Sequence, residues 1–254
     1  MGQDVAGIVE TVGSDVVRFS PGDEVFAQAD GAFAEYVCVR EELLEHKPTR
    51  LTFQEAAAVP LSANTALLAL RDVAALRTGQ EVLVIGASGG VGTFAVQIAA
   101  TYGAHVTAVC GPNATDLVRS LGADHVIDYT TEDCTRGVRR YDLILDLASS
   151  HPVSSLRKAL TRDGTLVLCS GNGGRWFGPM GRIIAAHLMS PFVPQHLRTL
   201  LAQPSGQNLV TLRKLIDSGR LTPVIDRTYP LADAAEAIRH VEMGHPRGKV
   251  VITM

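Results

Sequence analysis

Short apolar runs separated by turn residues fill the first part of the chain, up to Lys47. Runs that suit short strands lie at residues 5–12, 24–28 and 32–39, and Pro21-Gly22 marks a turn between the first two. Proline presets φ in such turns, and glycine adopts positive φ at little cost. Short strands spaced this closely predict a small antiparallel sheet or barrel.

A helical pattern replaces the strand pattern after Pro48. Thr52, followed by Glu55 three residues later, is a capping-box signature in which each side chain satisfies a backbone N–H at the start of a helix. Leucines recur through residues 65–76 and predict a further helix. We therefore place a boundary between two modules in this region.

Strands and helices alternate from Gln80 onward. Strands are predicted at residues 81–85, 105–110, 125–129, 141–146 and 165–170, and helices at residues 92–102, 115–121 and 153–160. The first of these strands is continuously apolar, as in a parallel sheet that is covered on both faces. Such alternation predicts an α/β fold with a doubly wound parallel sheet. Helices near residues 180–189 and 207–218 follow, and the chain ends in a strand–helix–strand unit at residues 224–229, 232–243 and 249–253.

Composition narrows the functional classes that remain. The 254 residues carry a formal net charge of −3, which gives no electrostatic basis for binding nucleic acid. No run approaches the ~20 apolar residues of a membrane span, and the N-terminus shows no signal-peptide pattern. The four cysteines are scattered without metal-binding spacing. We therefore expect a cytoplasmic protein with free thiols and with neither nucleic acid nor a membrane as partner.

The strongest chemical signal is the glycine-rich sequence VLVIGASGGVG at residues 82–92. It follows a predicted buried strand and opens a predicted helix. Glycines there permit a tight turn and let backbone N–H groups approach a pyrophosphate, towards which the helix directs its positive dipole end. Because a full strand–helix–strand unit surrounds the loop, we favour dinucleotide binding over a tight turn without a ligand.

The end of the second strand bears on the choice of cofactor. An NAD site usually places Asp or Glu there to bind the ribose 2′-hydroxyl. This chain has Gly111-Pro112-Asn113 after Cys110, with no acid. The missing acid favours NADP(H), with NAD less favoured. The alternative is a permissive site with little preference between the two.

Several segments together resemble the medium-chain dehydrogenase/reductase superfamily, and within it the zinc-free quinone oxidoreductase-like branch. The matching stretches run the length of the chain: GQDVAGIVETVGSDVVRFSPGDEVF, GAFAEYV, AAAVPLSANTALLAL, TGQEVLVIGASGGVGTFAVQIA, LGADHVIDY, YDLILD and GKVVIT. The resemblance implies a Rossmann dinucleotide-binding domain at residues 60–222, inserted into a partial GroES-like β-rich substrate domain at residues 1–59 and 223–254. It implies hydride transfer from NADPH to a small electrophile, namely a quinone, enone or aldehyde.

The resemblance also implies which residues bind the cofactor. The glycine-rich loop would hold the pyrophosphate. Gly111 and Asn113 would border the adenosine ribose, and Tyr129 would lie beside its 2′-phosphate. The residues after the fifth strand would line the nicotinamide side of the cleft. In order, the cofactor-binding residues are Ser88, Gly89, Gly90, Val91, Gly92, Gly111, Asn113, Tyr129, Ser170, Gly171, Asn172, Phe192, Val193 and Lys249. Structural alternatives stay open for three of them: Tyr129 as a strand cap, Phe192 as core and Lys249 as a solvated strand start.

Two departures from the family pattern shape the functional prediction. Zinc-dependent members carry a His–Glu pair where this chain reads Gly2-Gln3-Asp4, and Gln3 is a poor zinc ligand, so we predict no metal. The family pattern also has strands before this motif, and we expect this chain, which begins at Met1, to lack them. No catalytic side chain is identified, and a non-catalytic NADPH-binding or redox-sensing module is the alternative to an enzyme. Exposed strand edges favour a homodimer.

Overall fold

The computed structural model describes residues 2–169, 181, 184, 186, 189–244 and 246–254. The chain divides into two compact units, one formed by Met1–Asn64 with Ala202–Met254 and the other by Thr65–Leu201. These limits lie away from the expected domain limits near residues 59 and 223, and the division into a GroES-like and a Rossmann domain stays a prediction.

The first unit opens with an antiparallel sheet. Its strands β1 (Asp4–Ile8), β2 (Glu24–Gln28) and β3 (Leu44–His46) pair in the order β1-β2-β3. The antiparallel arrangement agrees with the sequence prediction, but the strand predicted at residues 32–39 is wrong, because that segment forms no regular structure. A strand needs a neighbour to satisfy its backbone groups, and an apolar run does not reveal whether one is present.

Two short helices follow the antiparallel sheet. Helix α1 (Phe53–Ala57) begins at the predicted capping box, which the structure confirms. The Glu55 backbone N–H donates to Thr52 Oγ1 at 3.3 Å, and the Thr52 N–H donates to Glu55 Oε2 at 2.8 Å. Helix α2 (Pro60–Leu67) starts with proline, whose missing N–H costs nothing in a first turn. It continues into a π-helical segment, Leu68–Val73.

The second unit is built on a six-stranded parallel sheet. Its strands are β4 (Glu81–Ile85), β5 (His105–Cys110), β6 (His125–Asp128), β7 (Tyr141–Asp146), β8 (Leu160–Cys169) and β9 (His196–Leu200), in the order β6-β5-β4-β7-β8-β9. Between them lie α3 (Gly90–Thr101), α4 (Thr115–Ser120) and α5 (Val153–Ala159). The order reverses direction between β4 and β7, as in a doubly wound sheet.

The buried central strands form the core of this unit. Val82, Leu83 and Val84 of β4 have no exposed surface, which explains the continuous apolar run in the sequence. On one face, Leu83 and Ile144 pack with Leu156 of α5. The sequence did not predict β9, whose exposed and buried residues alternate imperfectly and which pairs with β8 alone. The helix predicted near residues 180–189 lies largely outside the described residues.

The last part of the chain returns to the first unit. It comprises α6 (Gly206–Asp217), β10 (Ile225–Pro230), α7 (Ala234–Glu242) and β11 (Lys249–Thr253), with β10 and β11 paired in parallel. Buried amides link α6 to α2: Asn208 Nδ2 donates to Asn64 Oδ1 at 2.7 Å, and Asn64 Nδ2 donates to the Gln203 carbonyl at 2.8 Å. Among the helices described, none has the length and apolar character needed to cross a membrane.

The capping box gives a direct stability prediction. Thr52→Ala leaves a backbone N–H of the first turn of α1 without its acceptor, so we expect a loss of about 0.5–2 kcal/mol in the free energy of unfolding. Urea denaturation followed by circular dichroism measures it. Thr211→Ala, on the exposed side of α6, is the matched control and should change stability by less than about 0.5 kcal/mol. Equal effects of the two substitutions would contradict a capping role for Thr52.

Candidate dinucleotide-binding site

The glycine-rich loop lies where the parallel sheet reverses its strand order. Strand β4 ends at Ile85, and its neighbour β7 ends beside it, with Ile85 opposite Asp146 in the register. The connection after β4 leads into α3 on one side, and the connection after β7 leads towards β8 on the other. A crevice at the carboxyl ends of strands that diverge in this way is where open α/β sheets bind ligands.

Two glycines allow the loop to take its path. Gly86 has a φ of +83°, in the left-handed region that favours glycine. A Cβ at Gly92 would lie 2.1 Å from the Gly86 carbonyl oxygen, so only glycine lets the first turn of α3 pack this closely on the loop. The backbone N–H groups of Gly86 and Ala87 both donate to the Val109 carbonyl, at 3.1 and 3.0 Å, which ties the loop to the end of β5.

The start of α3 is suited to an anion. Gly89 is its N-cap and contributes no side-chain cap. The first N–H groups of a helix have no partner within the helix, and their dipoles add to a partial positive charge. Ser88, Gly89, Gly90 and Val91 are partly accessible, whereas Gly92 is buried. The loop therefore offers backbone donors to a phosphate group.

The end of the second strand of this sheet brings two predicted residues together. A Cβ at Gly111 would lie 3.1 Å from the Tyr129 hydroxyl oxygen, and the Tyr129 backbone N–H donates to the Cys110 carbonyl at 3.2 Å. The Tyr129 side chain is half exposed. Asn113 lies in the 3₁₀ turn Pro112–Ala114 that follows Gly111. This placement of Tyr129 is compatible with both roles considered for it, a strand cap and a cofactor contact.

Charged groups near this strand end act on the Cys110 thiol. Burial is the main reason that the pKa of Cys110 is raised, the Asp128 carboxylate raises it further, and Arg119 opposes the shift. Burial also raises the pKa of Cys134 to about 11 and that of Cys169 to about 12. At neutral pH, with no metal bound, these thiols are protonated and poorly nucleophilic, which argues against a nucleophilic or redox role for them.

A buried carboxylate that the sequence analysis missed lies beside the glycine-rich loop. Asp146, at the end of β7, is 1% exposed, and its Oδ1 accepts the backbone N–H of Ser149 at 2.9 Å. The adjacent Leu147 N–H donates to the Ile85 carbonyl at 3.1 Å. Asp146 thus fixes the turn that leaves β7, and the Leu147 N–H ties this turn to the end of β4. The only sequence signal was an acid closing an apolar strand.

Among the later residues predicted to bind the cofactor, the structure describes Phe192 and Val193 in the second unit. Phe192 is 86% exposed, which argues against the core alternative for it, whereas Val193 packs against the apolar core of the second unit. Ser170, Gly171 and Asn172 lie outside the described residues. Cofactor contacts by any of these five residues stay predictions.

Lys249 belongs to the first unit, where it forms an ion pair. Its Nζ lies 2.9 Å from Asp4 Oδ2 and 3.1 Å from Ser62 Oγ. The second carboxylate oxygen, Asp4 Oδ1, accepts the backbone N–H of Leu61 at 2.7 Å. Lys249 is therefore not the solvated strand start that the alternative assumed, because its side chain is mostly buried. A cofactor contact by Lys249 stays a prediction.

Comparisons with known proteins agree with this geometry. The family model of the zinc-binding dehydrogenases matches residues 121–252, and that of the alcohol dehydrogenase GroES-like domain matches residues 1–49. A mouse (Mus musculus) relative, the mitochondrial NAD(P)H oxidoreductase RTN4IP1, is 39% identical over 100% of this chain and 70% of its own length. The chain belongs to the medium-chain dehydrogenase/reductase superfamily.

Solved structures of this superfamily share the fold. The quinone oxidoreductase from Coxiella burnetii superposes with a TM-score of 0.89 and 29% identity, covering 100% of this chain and 79% of that one. A mycobacterial protein complexed with NADPH gives a TM-score of 0.85 and 27% identity, covering 100% of this chain and 82% of the other. The predicted α/β fold, the superfamily membership and, at the family level, an oxidoreductase activity are thereby confirmed.

The zinc in the name of the matching family raises the question of whether this chain could hold a catalytic zinc at the Gly2-Gln3-Asp4 motif. Gln3 is exposed and offers a weakly coordinating amide. Both carboxylate oxygens of Asp4 already accept hydrogen bonds, from Leu61 and Lys249. The residues at the motif do not fit the family's zinc, and the absence of a metal stays a prediction.

The geometry of the loop predicts unequal effects of two alanine substitutions. Gly92→Ala places a Cβ against the Gly86 carbonyl and forces the loop or helix to shift, so we expect a loss of about 1–3 kcal/mol in the free energy of unfolding. Gly89→Ala is the matched control, because its Cβ would lie at an ordinary 3.5 Å from the same carbonyl. It should cost less than about 1 kcal/mol. Urea unfolding of both variants measures the difference, and equal losses would contradict the close packing.

Proposed function

We propose that the chain is an NADPH-dependent oxidoreductase that reduces a small quinone, enone or aldehyde without a metal ion. The observation that carries the proposal is the glycine-rich loop, which offers the backbone N–H groups at the start of α3 at the switch point of a parallel sheet. Residues 88–92 would hold the pyrophosphate. NADPH, when bound, supplies the hydride, and water or a hydroxyl group supplies the proton that completes reduction of the acceptor.

The preference for NADPH over NADH rests on the end of β5. Gly111 and Asn113 occupy the positions where an NAD site usually carries an acid, so no carboxylate there repels a 2′-phosphate. The Tyr129 hydroxyl next to Gly111 can donate a hydrogen bond to such a phosphate. The carboxylate of Asp128, at the end of the neighbouring strand β6, is engaged within its own turn. Its Oδ1 accepts hydrogen bonds from the N–H and the hydroxyl of Thr130, at 2.9 and 2.7 Å.

The contacts that Asp4 already makes support reduction without a metal. The ion pair with Lys249 satisfies one of its oxygens and the Leu61 N–H satisfies the other, so Asp4 has a structural role that competes with metal binding. The protein's contribution would then be to bind and orient the cofactor and the acceptor and to exclude water. A small electrophilic substrate, a homodimer and a cytoplasmic location are part of the same proposal.

Steady-state kinetics test the proposed activity. We expect the full chain to oxidise NADPH in the presence of a small quinone, with lower kcat/KM for NADH, and to keep its rate after treatment with EDTA. Loss of turnover on chelation would overturn the metal-free proposal. Cofactor binding, seen by NADPH fluorescence, without turnover on quinones, enones or aldehydes would favour the non-catalytic module instead.

Removal of the Tyr129 hydroxyl group tests the proposed contact with the 2′-phosphate. Tyr129→Phe keeps the ring and removes the donor, and a hydrogen bond to a charged group contributes about 1.5–3 kcal/mol, so KM for NADPH should rise about tenfold or more. KM for NADH, which has no 2′-phosphate, should be unchanged. Tyr102→Phe, at the other end of α3, is the matched control and should leave both constants unchanged. A parallel rise for both cofactors in Tyr129→Phe would contradict the assignment.

A further inference from the structure

We propose that Asp133, Cys134 and His151 form a zinc site in the second unit, separate from the dinucleotide-binding loop. The carboxylate, thiol and imidazole ligand atoms of these residues all lie within 4.8 Å of one another. Along the chain the cysteines are scattered, and His151 lies 17 residues after Cys134, so no metal-binding spacing is visible in the sequence. The fold brings this set together because two connections of the sheet meet there.

The backbone holds the three residues in place from both connections. Asp133 and Cys134 lie between β6 and β7, and His151 lies between β7 and α5. Asp133 Oδ1 accepts the N–H and the hydroxyl of Thr135, at 2.9 and 2.7 Å, which fixes the turn that carries both ligands. Cys134 is 4% exposed and belongs to the same apolar core cluster as Val153, the first residue of α5. A metal there would tie the two connections together.

The imidazole is oriented as a metal ligand requires. His151 Nδ1 lies 2.9 Å from Ser150 Oγ, and His151 Nε2 lies 3.5 Å from Asp133 Oδ1. In the tautomer that donates its Nδ1 proton to Ser150, the Nε2 lone pair is directed at the cluster. A histidine that binds a metal through one nitrogen commonly donates a hydrogen bond through the other. Ser150 would have this supporting role.

The ligand chemistry favours zinc over magnesium and calcium. One thiolate, one imidazole and one carboxylate are all ligands that Zn²⁺ accepts, and three protein ligands leave a fourth tetrahedral position for water. Magnesium and calcium prefer oxygen ligands, of which this set has one residue. The ligand atoms around a tetrahedral zinc lie about 3.3–3.8 Å apart, given the usual bond lengths, so the side chains close by about 1 Å on binding.

The charges around the cluster are compatible with a divalent cation. Zinc binding would release the Cys134 thiol proton to solvent, and the resulting thiolate and the Asp133 carboxylate together would balance the two positive charges of zinc. Arg136 Nε lies 3.0 Å from Asp133 Oδ2, but the Arg136 side chain is 86% exposed and can move into solvent when a metal binds. An exposed ion pair of this kind contributes little and is a weak competitor.

Cobalt(II) is the probe for the first test. The full chain, treated with chelator and kept reduced, should bind one Co²⁺ per chain and show a thiolate-to-cobalt charge-transfer band, which Zn²⁺ then displaces. Cys134→Ser should abolish the band, and His151→Gln should weaken Co²⁺ binding at least tenfold. The absence of a band in the wild-type chain, or a band that persists in Cys134→Ser, would overturn the proposal.

Matched controls separate this site from adventitious binding. Cys38→Ala removes the exposed thiol, and His196→Gln removes an exposed histidine of the same unit; both should leave the band and the affinity unchanged. Loss of the band in either would overturn the proposal. If circular dichroism shows that Cys134→Ser does not fold, the Co²⁺ affinity of His151→Gln is the deciding measurement, because that variant keeps the Cys134 thiol. Zn²⁺ should raise the thermal unfolding midpoint of the wild-type chain and not that of His151→Gln.

Discussion

The close approach of helix α3 to the end of strand β4 is the constraint on which the candidate site depends. Gly92 permits it, since a Cβ there would lie 2.1 Å from the Gly86 carbonyl, and the positive φ of Gly86 turns the chain into position. A bulkier residue would push the helix away from the strand. The N–H groups that start the helix would then no longer lie over the carboxyl ends of the central strands, the place where doubly wound sheets commonly bind phosphate groups.

Buried polar contacts support this arrangement in the second unit and hold the first unit together. Asp146 fixes the turn after β7 next to the glycine-rich loop. In the first unit, Glu45 is buried between two arginines, with Arg18 at 3.3 Å and Arg213 at 3.4 Å. The pair between Arg213 and Glu45 and the pair between Lys249 and Asp4 join residues from opposite ends of the chain. The removal of one partner would leave a buried charge uncompensated, which is costly.

Sequence reasoning succeeded where the structural cause is local. The capping box of Thr52 and the glycine-rich turn are short-range patterns, and the continuous apolar run of β4 reflects burial on both faces. Sequence-based prediction failed where strand formation depends on pairing with a neighbouring strand. Residues 32–39 resemble a strand but do not form one, and β9 is a strand whose imperfect alternation hid it. Five of the six parallel strands were predicted, and four of these lie inside the sheet, where burial produces the strongest apolar signal.

The amino-acid sequence was sufficient to predict the doubly wound α/β fold, the position of the glycine-rich loop and the missing acid after the second strand. These follow from residues that are adjacent or regularly spaced along the chain. Only the tertiary structure placed the Tyr129 hydroxyl beside Gly111, buried Asp146 against the loop, engaged Lys249 with Asp4 and gathered Asp133, Cys134 and His151. The physical reason is that such contacts arise between connections and strand ends that are distant in sequence, and no local pattern encodes which of them meet.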